Sequence, residues 1–242
     1  MTDKRDNIFS DPLGEVKDFS FDETVVSVFP DMIERSVPGY STVVAISALL
    51  TARFSQPDTA LYDLGCSLGA SSFAMARSAA AGCRLCAVDN SPAMMAQFQQ
   101  RIAGQSLATP IDFLCADICD IEISNASVVT LNYTLQFIAR EKRQALLQKI
   151  QRGMVDGGVL ILSEKLAFDE PAVDELFVDL HHEFKRANGY TDLEISQKRD
   201  AIEAVLLPES LTTHQQRLRD CGFRRVAVWF QCFNFASLVA IK

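Results

Sequence analysis

The sequence predicts an α/β fold built on one mostly parallel, seven-stranded sheet whose final strand runs antiparallel to the rest. Two observations indicate this fold. Short, almost continuously apolar runs alternate with segments of helical periodicity as far as residue 165, which is typical of strands buried on both faces of a parallel sheet. Two long apolar runs then close the chain, and strands so close in sequence can pair only as a hairpin.

The composition indicates one domain that acts on a small molecule. The 242 residues are 48% hydrophobic, and we expect residues 1–242 to form a single α/β domain. A net charge of −8 disfavours nucleic-acid binding, because affinity for phosphate backbones comes chiefly from Lys and Arg. The polar N-terminus, the dispersed cysteines and the lack of a membrane-spanning run predict a soluble cytoplasmic protein.

The cysteines and histidines predict no metal site. Seven dispersed cysteines favour reduced thiols over a disulfide framework. Cys83 and Cys86 match C-x-x-C, but alternation along a strand directs them to opposite faces. His181 and His182 have no acid or cysteine at ligand spacing.

A loosely ordered polar tail and two helices are predicted before the first strand. The helices occupy about residues 20–55, and Pro30 within the first predicts a break or kink. Residues 38–40 predict a turn, with Ser41 as a candidate cap for the second helix. Tyr40 lies on this turn, where it could approach the ligand or simply pack against the fold.

A Gly-rich turn after the first strand is the main candidate for a ligand site. The strand Ala60–Leu64 leads into the turn Gly65–Gly69, and a helix follows from Ala70. Such a turn lets a nucleotide-like ligand approach bare backbone, with helix N–H groups facing it. Asp63 could hold a cation or orient the turn. Taken alone the turn is weak evidence, because many α/β turns are Gly-rich only because they are tight.

An acidic residue ends the second predicted strand, Arg84–Val88. Asp89 follows Gly65 by 24 residues, close to the spacing at which a carboxylate accepts hydrogen bonds from ribose hydroxyls. The two features together are stronger evidence than either alone. Ser91 and Pro92 then predict the cap and first turn of another helix.

Three further strands also end in polar residues. They are predicted at 111–116, 127–131 and 159–162, with a helix at 139–153, and are followed by Asp117, Asn132 and Glu164. Ligands of open parallel sheets bind at the carboxyl ends of the strands. Asp117 and Asn132 are therefore expected to face the same cleft as the Gly-rich turn.

Residues 165–207 interrupt the alternation with two predicted helices. The first carries an apolar stripe at helical spacing: Val173, Leu176, Phe177, Leu180 and Phe184. This insertion can cover the cleft, build a dimer surface, or do both. Glu164 and Lys165, just before it, are candidates for substrate contact or for an ion pair at the rim.

A helix at Ser210–Asp220, a stop at Gly222 and the final hairpin complete the predicted elements. The hairpin strands are predicted at 224–230 and 233–241, with a turn near Gln231 and Cys232.

This pattern resembles the class I S-adenosylmethionine-dependent methyltransferase fold, a Rossmann-like sheet here with a helical insertion after strand five. Asp63 to Gly69 reads Asp-x-Gly-x-x-x-Gly, where dinucleotide-binding folds carry Gly-x-Gly-x-x-Gly. Six stretches are similar to the carboxy-S-adenosyl-L-methionine synthase family: residues 28–40, 62–70, 162–165, 184–190, 195–199 and 229–235. The last three are not general methyltransferase motifs.

The resemblance implies an unusual reaction. Members of that family carboxylate the sulfonium methyl of S-adenosyl-L-methionine, use prephenate as the donor and release phenylpyruvate. A proposed route passes through an ylide that captures carbon dioxide. The product, carboxy-S-adenosyl-L-methionine, supplies a partner enzyme that modifies the wobble uridine of certain tRNAs. The resemblance also implies a homodimer, with no metal and no direct binding to nucleic acid or membrane.

The resemblance further implies a set of binding residues: Tyr40, Gly65, Cys66, Ser67, Asp89, Asn90, Asp117, Ile118 and Asn132. The backbone of the Gly-rich turn approaches the methionine moiety. The carboxylate after the second strand accepts from the ribose, and the pair after the third strand holds the adenine. Asn132 and Tyr40 line the sulfonium end.

Arg199 is the candidate catalytic residue, and the resemblance implies that it binds the product carboxylate from its own subunit or across a dimer interface. A guanidinium binds a carboxylate through two parallel hydrogen bonds. From the residues alone, a solvated arginine on a helix face is the simpler interpretation. The alternative functions are a methyltransferase acting on a small molecule or tRNA, in which a cation facing the sulfonium would repel it, and a nucleoside-binding scaffold.

Overall fold

A seven-stranded mixed sheet forms the centre of the protein in a computed structural model that describes residues 4–14, 19–203 and 205–242. The strands are β1 (Ala60–Leu64), β2 (Arg84–Asp89), β3 (Ile111–Cys115), β4 (Ala126–Asn132), β5 (Met154–Lys165), β6 (Arg225–Cys232) and β7 (Phe235–Ile241). Their order is β3-β2-β1-β4-β5-β7-β6. Only β7 runs antiparallel to its neighbours; the other adjacent pairs are parallel. The predicted fold class is confirmed.

Helices cover both faces of this sheet. They are α1 (Glu23–Ser36), α2 (Tyr40–Phe54), α3 (Ala70–Ser78), α4 (Pro92–Ile102), α5 (Arg140–Gly153), α6 (Pro171–Ala187), α7 (Asp192–Glu203) and α8 (Leu211–Asp220). One apolar layer joins the sheet to α5 and α8, and the other joins it to α2, α3 and α4. Val128 and Val129 of β4 belong to opposite layers, as the alternation of side chains in a strand requires.

The first helices differ from the prediction in two respects. Helix α1 is not broken at Pro30, because Asp22 caps its start and its apolar face is buried, which outweighs the lost backbone hydrogen bond; a kink at Pro30 stays a prediction. Ser41 does not cap α2. Gly39, with φ 74°, precedes the helix at that point without a side-chain cap, and Ser41 lies inside the first turn.

Residues 4–14 are ordered by polar contacts, contrary to the prediction of a loosely ordered tail over residues 1 to about 20; residues 1–3 and 15–18 of that range lie outside the described residues. Asp6 is 2% exposed, and its carboxylate accepts a hydrogen bond of 2.5 Å from Tyr190 Oη. Gln197 Nε2 donates to the carbonyl oxygens of Phe9 and Asp11 at 3.0 Å. The sequence pattern of the tail did not indicate this order, because Tyr190 and Gln197 lie more than 180 residues further along the chain.

The final hairpin turns later than predicted. Strand β6 extends to Cys232 and β7 begins at Phe235, so the turn is Phe233-Asn234. Phe233 has φ 50°, a left-handed backbone conformation that phenylalanine rarely adopts. The residue type therefore did not predict a turn at this position. Strand β5 is also longer than predicted, because it begins at Met154, beside Ala126 of β4.

No single described helix is long and apolar enough to cross a membrane. Helices α1 and α2 meet the criteria of length and composition only when taken together, and they are bent by 94° relative to each other. All seven cysteines are free.

Candidate active site

A cavity of about 250 Å³ lies at the carboxyl ends of the parallel strands, where the sequence places the site. Segments after β1 to β5 form one side, and α1, α6 and α7 contribute to the other. Nine of the ten candidate residues line it: Tyr40, Gly65, Cys66, Ser67, Asp89, Asn90, Asp117, Ile118 and Asn132. Arg199 is the exception.

The Gly-rich turn is shaped by backbone that only glycine accepts. Gly65 and Gly69 have φ values of 81° and 83°, and a Cβ at these positions would overlap Thr134 and Phe98 respectively. The amides of Gly65 and Cys66 donate to the carbonyl oxygen of Val88, at 2.8 and 2.9 Å. The turn is therefore fixed to the end of β2.

The carboxylate of Asp89 connects the Gly-rich turn to the start of α4 and can still accept further hydrogen bonds. Its Oδ2 accepts from Ser67 N and its Oδ1 from Ser91 N, both at 2.9 Å. Burial raises the pKa of this carboxyl. Each oxygen accepts only one of these bonds, so two further lone pairs can accept hydroxyl donors.

Asp63 holds the helix that follows the Gly-rich turn against β4. It is 1% exposed, and its carboxylate accepts hydrogen bonds from Ser72 Oγ at 2.5 Å and Thr130 Oγ1 at 2.8 Å. Burial raises its pKa to about 6. Of the two interpretations open from sequence, the geometry favours orienting the turn over holding a cation.

Asn132 is held rigidly at the end of β4. Its Nδ2 donates to Ser71 Oγ at 2.9 Å, and its Oδ1 accepts from Ser163 Oγ at 2.8 Å. The next residue, Tyr133, has φ 61°, uncommon for a bulky side chain, and its ring centroid lies 6.3 Å from that of Tyr40. Burial raises the pKa of both phenols. The two rings form a wall beside Asn132.

Three lysines line the same cavity: Lys165, Lys185 and Lys198. Lys198 Nζ donates to Ser36 Oγ at 3.0 Å and lies 3.4 Å from Asp6 Oδ2. Burial, with a smaller effect of neighbouring cations, lowers the pKa of Lys185 to about 7. Sequence reasoning missed Lys185 and Lys198. Lys185 lies one helical turn after His181, a spacing that places them on one face.

Phenylalanines form an apolar wall of the cavity. Phe21 packs edge-to-face against Phe19, Phe29 and Phe137, with ring centroids 5.2, 6.1 and 5.5 Å apart. These four residues line the cavity together with Ile118. Such a wall can cover a planar, uncharged ring system.

Arg199 lies on the outer side of α7. Its side chain is 50% exposed, and its guanidinium lies 3.3 Å from Asp200 Oδ1. It does not line the cavity of its own chain, so its predicted role stays a prediction. Nor does any group of three or more His, Cys, Asp or Glu within the described ranges lie where it could hold a metal ion.

Glu164 is a buried carboxyl outside the cavity lining, and we expect Glu164→Gln to stabilise the fold at neutral pH. Its Oε1 accepts from Leu135 N at 3.1 Å, and its Oε2 has no partner among the described residues. Burial raises its pKa well above the ordinary 4.5. Above pH 4.5 the unfolded chain gains ionisation that the folded chain does not, so stability is lost as pH rises.

The measurement is thermal unfolding of the wild type and of Glu164→Gln at pH 4 and pH 7.5. The glutamine side chain keeps an oxygen that can accept the hydrogen bond from Leu135 N. The melting temperatures should be similar at the lower pH, and that of Glu164→Gln should be higher at the upper pH. A lower melting temperature for the variant at pH 7.5 would show that Glu164 is ionised and paired in the folded protein.

Comparisons with known proteins agree with this geometry. Residues 61–158 match a family model described as a methyltransferase domain. Human N-acetylserotonin methyltransferase in complex with SAM has a TM-score of 0.61 at 18% identity, covering 91% of this chain and 56% of that one. Magnesium protoporphyrin IX methyltransferase from Synechocystis PCC 6803 has a TM-score of 0.60 at 18% identity, covering 87% of each chain. The fold is that of class I S-adenosylmethionine-dependent methyltransferases.

Closer relatives define the family. The carboxy-S-adenosyl-L-methionine synthase of Trichlorobacter lovleyi is 54% identical over 244 residues, covering 100% of both chains. That of Aeromonas hydrophila is 54% identical over 239 residues, covering 98% of this chain and 96% of the relative. The chain belongs to the carboxy-S-adenosyl-L-methionine synthase family. It is an enzyme, a transferase of that family.

Proposed function

We propose that the protein carboxylates the sulfonium methyl of S-adenosyl-L-methionine with prephenate as the donor. The bond between the prephenate ring and its carboxylate breaks, hydroxide leaves as the ring becomes aromatic, and the freed carbon dioxide bonds to the methyl carbon. The methyl proton joins the hydroxide, so phenylpyruvate and water are released. The product then serves as the carboxymethyl donor for the oxyacetic acid modification of wobble uridine in tRNA by another enzyme.

The nucleoside is assigned to the residues at the ends of β1 to β3. Asp89 has free lone pairs for the ribose hydroxyls, next to the exposed Asn90. Asp117 uses only Oδ1 for Cys119 N, at 2.8 Å, which leaves Oδ2 for the adenine amino group. Ile118 is buried beside the phenylalanine wall and suits the apolar face of the ring.

The observation that carries the proposal is the occurrence of cations in the same cavity as the Gly-rich turn. Lys185 lines a space that must also hold a positively charged sulfonium, and so does Lys198, which is already paired with Asp6. Like charges in a low dielectric repel strongly, so an ordinary methyltransferase gains nothing from them. An anionic second substrate and a carboxylated product balance these charges. This favours carboxylation over methyl transfer.

The proposal includes a homodimer in which Arg199 of each subunit contributes to the cavity of the other. The apolar stripe of α6 is turned away from the cavity, and its Leu176 is 54% exposed. The buried residues of α6 are instead His181 and Lys185. A second copy of the chain would cover the stripe, and the exposed Arg199 of each subunit could then enter its partner's cavity.

We expect Leu176→Glu to shift the protein from dimer to monomer, because a carboxylate in an apolar interface must be desolvated without a partner. The measurement is light scattering after size-exclusion chromatography over a range of concentrations. The matched control is Leu114→Glu, also exposed but on β3, an edge strand separated from β5, the strand that leads to α6, by three other strands. A wild-type protein that is monomeric at micromolar concentration would contradict the dimer.

The reaction itself is tested by incubating the purified enzyme with S-adenosyl-L-methionine, with and without prephenate, and analysing the products by mass spectrometry. Carboxy-S-adenosyl-L-methionine and phenylpyruvate should form in equal amounts only when both substrates are present. Formation of S-adenosylhomocysteine with a small-molecule or tRNA acceptor, and none of the carboxylated product, would instead identify a methyltransferase.

A further inference from the structure

Lys185 occupies an unusual position for a lysine. It is 9% exposed on α6 and its side chain lines the cavity. Burying an ammonium group costs several kcal/mol unless it is paired and hydrogen-bonded. A lysine at such a site therefore calls for a partner of opposite charge.

No such partner for Lys185 is present within the described ranges of the chain. Its ammonium takes part in no hydrogen bond or ion pair with the described residues. Its electrostatic neighbours are cations, namely Lys198, Lys165 and Arg199. Of these, Lys198 is balanced by Asp6, whose carboxylate is also held by Tyr190. The positive charge at Lys185 is left for a ligand.

A continuous row of rings connects Lys185 with the sulfonium end of the cavity. Tyr40 is followed by Tyr133 at 6.3 Å, Tyr133 by Phe235 at 6.1 Å, and Phe235 by His181 at 4.9 Å, all between ring centroids. His181 is fixed by Ser36, whose carbonyl oxygen lies 2.7 Å from its Nε2. It is one helical turn before Lys185 on the same face. These side chains provide an apolar wall against which the ring of a substrate can pack.

We propose that Lys185 binds the pyruvyl carboxylate of the donor, the carboxylate that is not transferred. This inference rests on the proposed use of prephenate, in which one ring carbon carries both carboxylate groups, one attached directly and the other through a short pyruvyl arm. The ring carboxylate must lie next to the sulfonium methyl to deliver carbon dioxide. The pyruvyl arm holds the other carboxylate a few bonds away from the first, and Lys185 on α6 provides the opposite charge in the same cavity. Lys185 is thus a binding and specificity residue for the donor.

The test replaces Lys185 with methionine, which keeps the length of the side chain and removes the charge. The KM for prephenate should rise by about 10-fold to 100-fold, the usual effect of losing one charge-assisted hydrogen bond. The inhibition constant of phenylpyruvate, which retains the pyruvyl carboxylate, should rise in parallel. The Kd for S-adenosyl-L-methionine, measured by calorimetry without donor, should change by less than about twofold, because no contact to it is lost.

Arg186→Met is the matched control, since Arg186 is the next residue on α6 but pairs with Glu183 and Asp192 on the surface. It should leave all three constants unchanged. Lys185→Gln gives the same test if the methionine variant fails to fold. An unchanged KM for prephenate and an unchanged phenylpyruvate inhibition constant in an active variant would overturn the inference and leave the proposed function intact. A wild-type enzyme that does not use prephenate would overturn both.

Discussion

Arg199→Ala should reduce the formation of carboxy-S-adenosyl-L-methionine by about 100-fold to 1,000-fold, as removal of one charged group facing a developing anion does in other active sites. The transferred group acquires its negative charge as the new carbon–carbon bond forms. A guanidinium binds that carboxylate through two hydrogen bonds and stabilises it more than it stabilises the substrate. The effect should therefore appear in kcat, with little change in the Kd for S-adenosyl-L-methionine.

Mixed dimers test whether Arg199 acts across the interface. Arg199→Ala and Asp89→Ala chains, each inactive alone, are combined under conditions that exchange subunits. If Arg199 enters the partner's cavity, each mixed dimer regains one complete site, and random pairing returns about a quarter of wild-type activity. No recovery, despite subunit exchange demonstrated by mass spectrometry, would place Arg199 in its own subunit's site.

Asp89→Ala should have the largest effect on substrate binding. The Kd for S-adenosyl-L-methionine should rise by about 100-fold or more, because two charge-assisted hydrogen bonds to the ribose, each contributing about 1.5–3 kcal/mol, are lost together. The variant also loses the acceptor that holds Ser67 N and Ser91 N, so the Gly-rich turn is less well ordered. Calorimetry on the purified chain measures the change directly.

Asp112→Ala is the control for this substitution. Asp112 lies on β3 and forms an exposed ion pair with Arg84, with side chains 54% and 61% exposed, and such pairs contribute about 1 kcal/mol or less. Its Kd for S-adenosyl-L-methionine should equal that of the wild type. If Asp89→Ala bound the nucleoside as tightly as this control, the ribose would have to be held elsewhere.

The sheet and the position of most candidate residues at one cavity could be predicted from the sequence because both follow from local signals. An apolar run that ends in Asp89, Asp117 or Asn132 locates the end of a strand. The parallel topology then brings those ends to one edge of the sheet, as the cavity lining confirms.

The orientation of the inserted helices could not be read in this way. The apolar stripe of α6 would ordinarily face the core, yet the buried side of this helix carries His181 and Lys185. Which face turns inward depends on Ser36 and Asp6, residues far away in the sequence that hold α6 and α7 in place. Long-range contacts of this kind leave no periodic signal, which is also why the order in the N-terminal tail was not predicted.

The proposed reaction is tested most directly with prephenate that carries ¹³C only in its ring carboxylate. The enzyme is incubated with this donor and unlabelled S-adenosyl-L-methionine in buffer that contains unlabelled bicarbonate, and the products are analysed by mass spectrometry. The label should appear in carboxy-S-adenosyl-L-methionine and be absent from phenylpyruvate. An unlabelled carboxylated product would show that the carboxyl group comes from another source, and S-adenosylhomocysteine as the only product would contradict carboxyl transfer altogether.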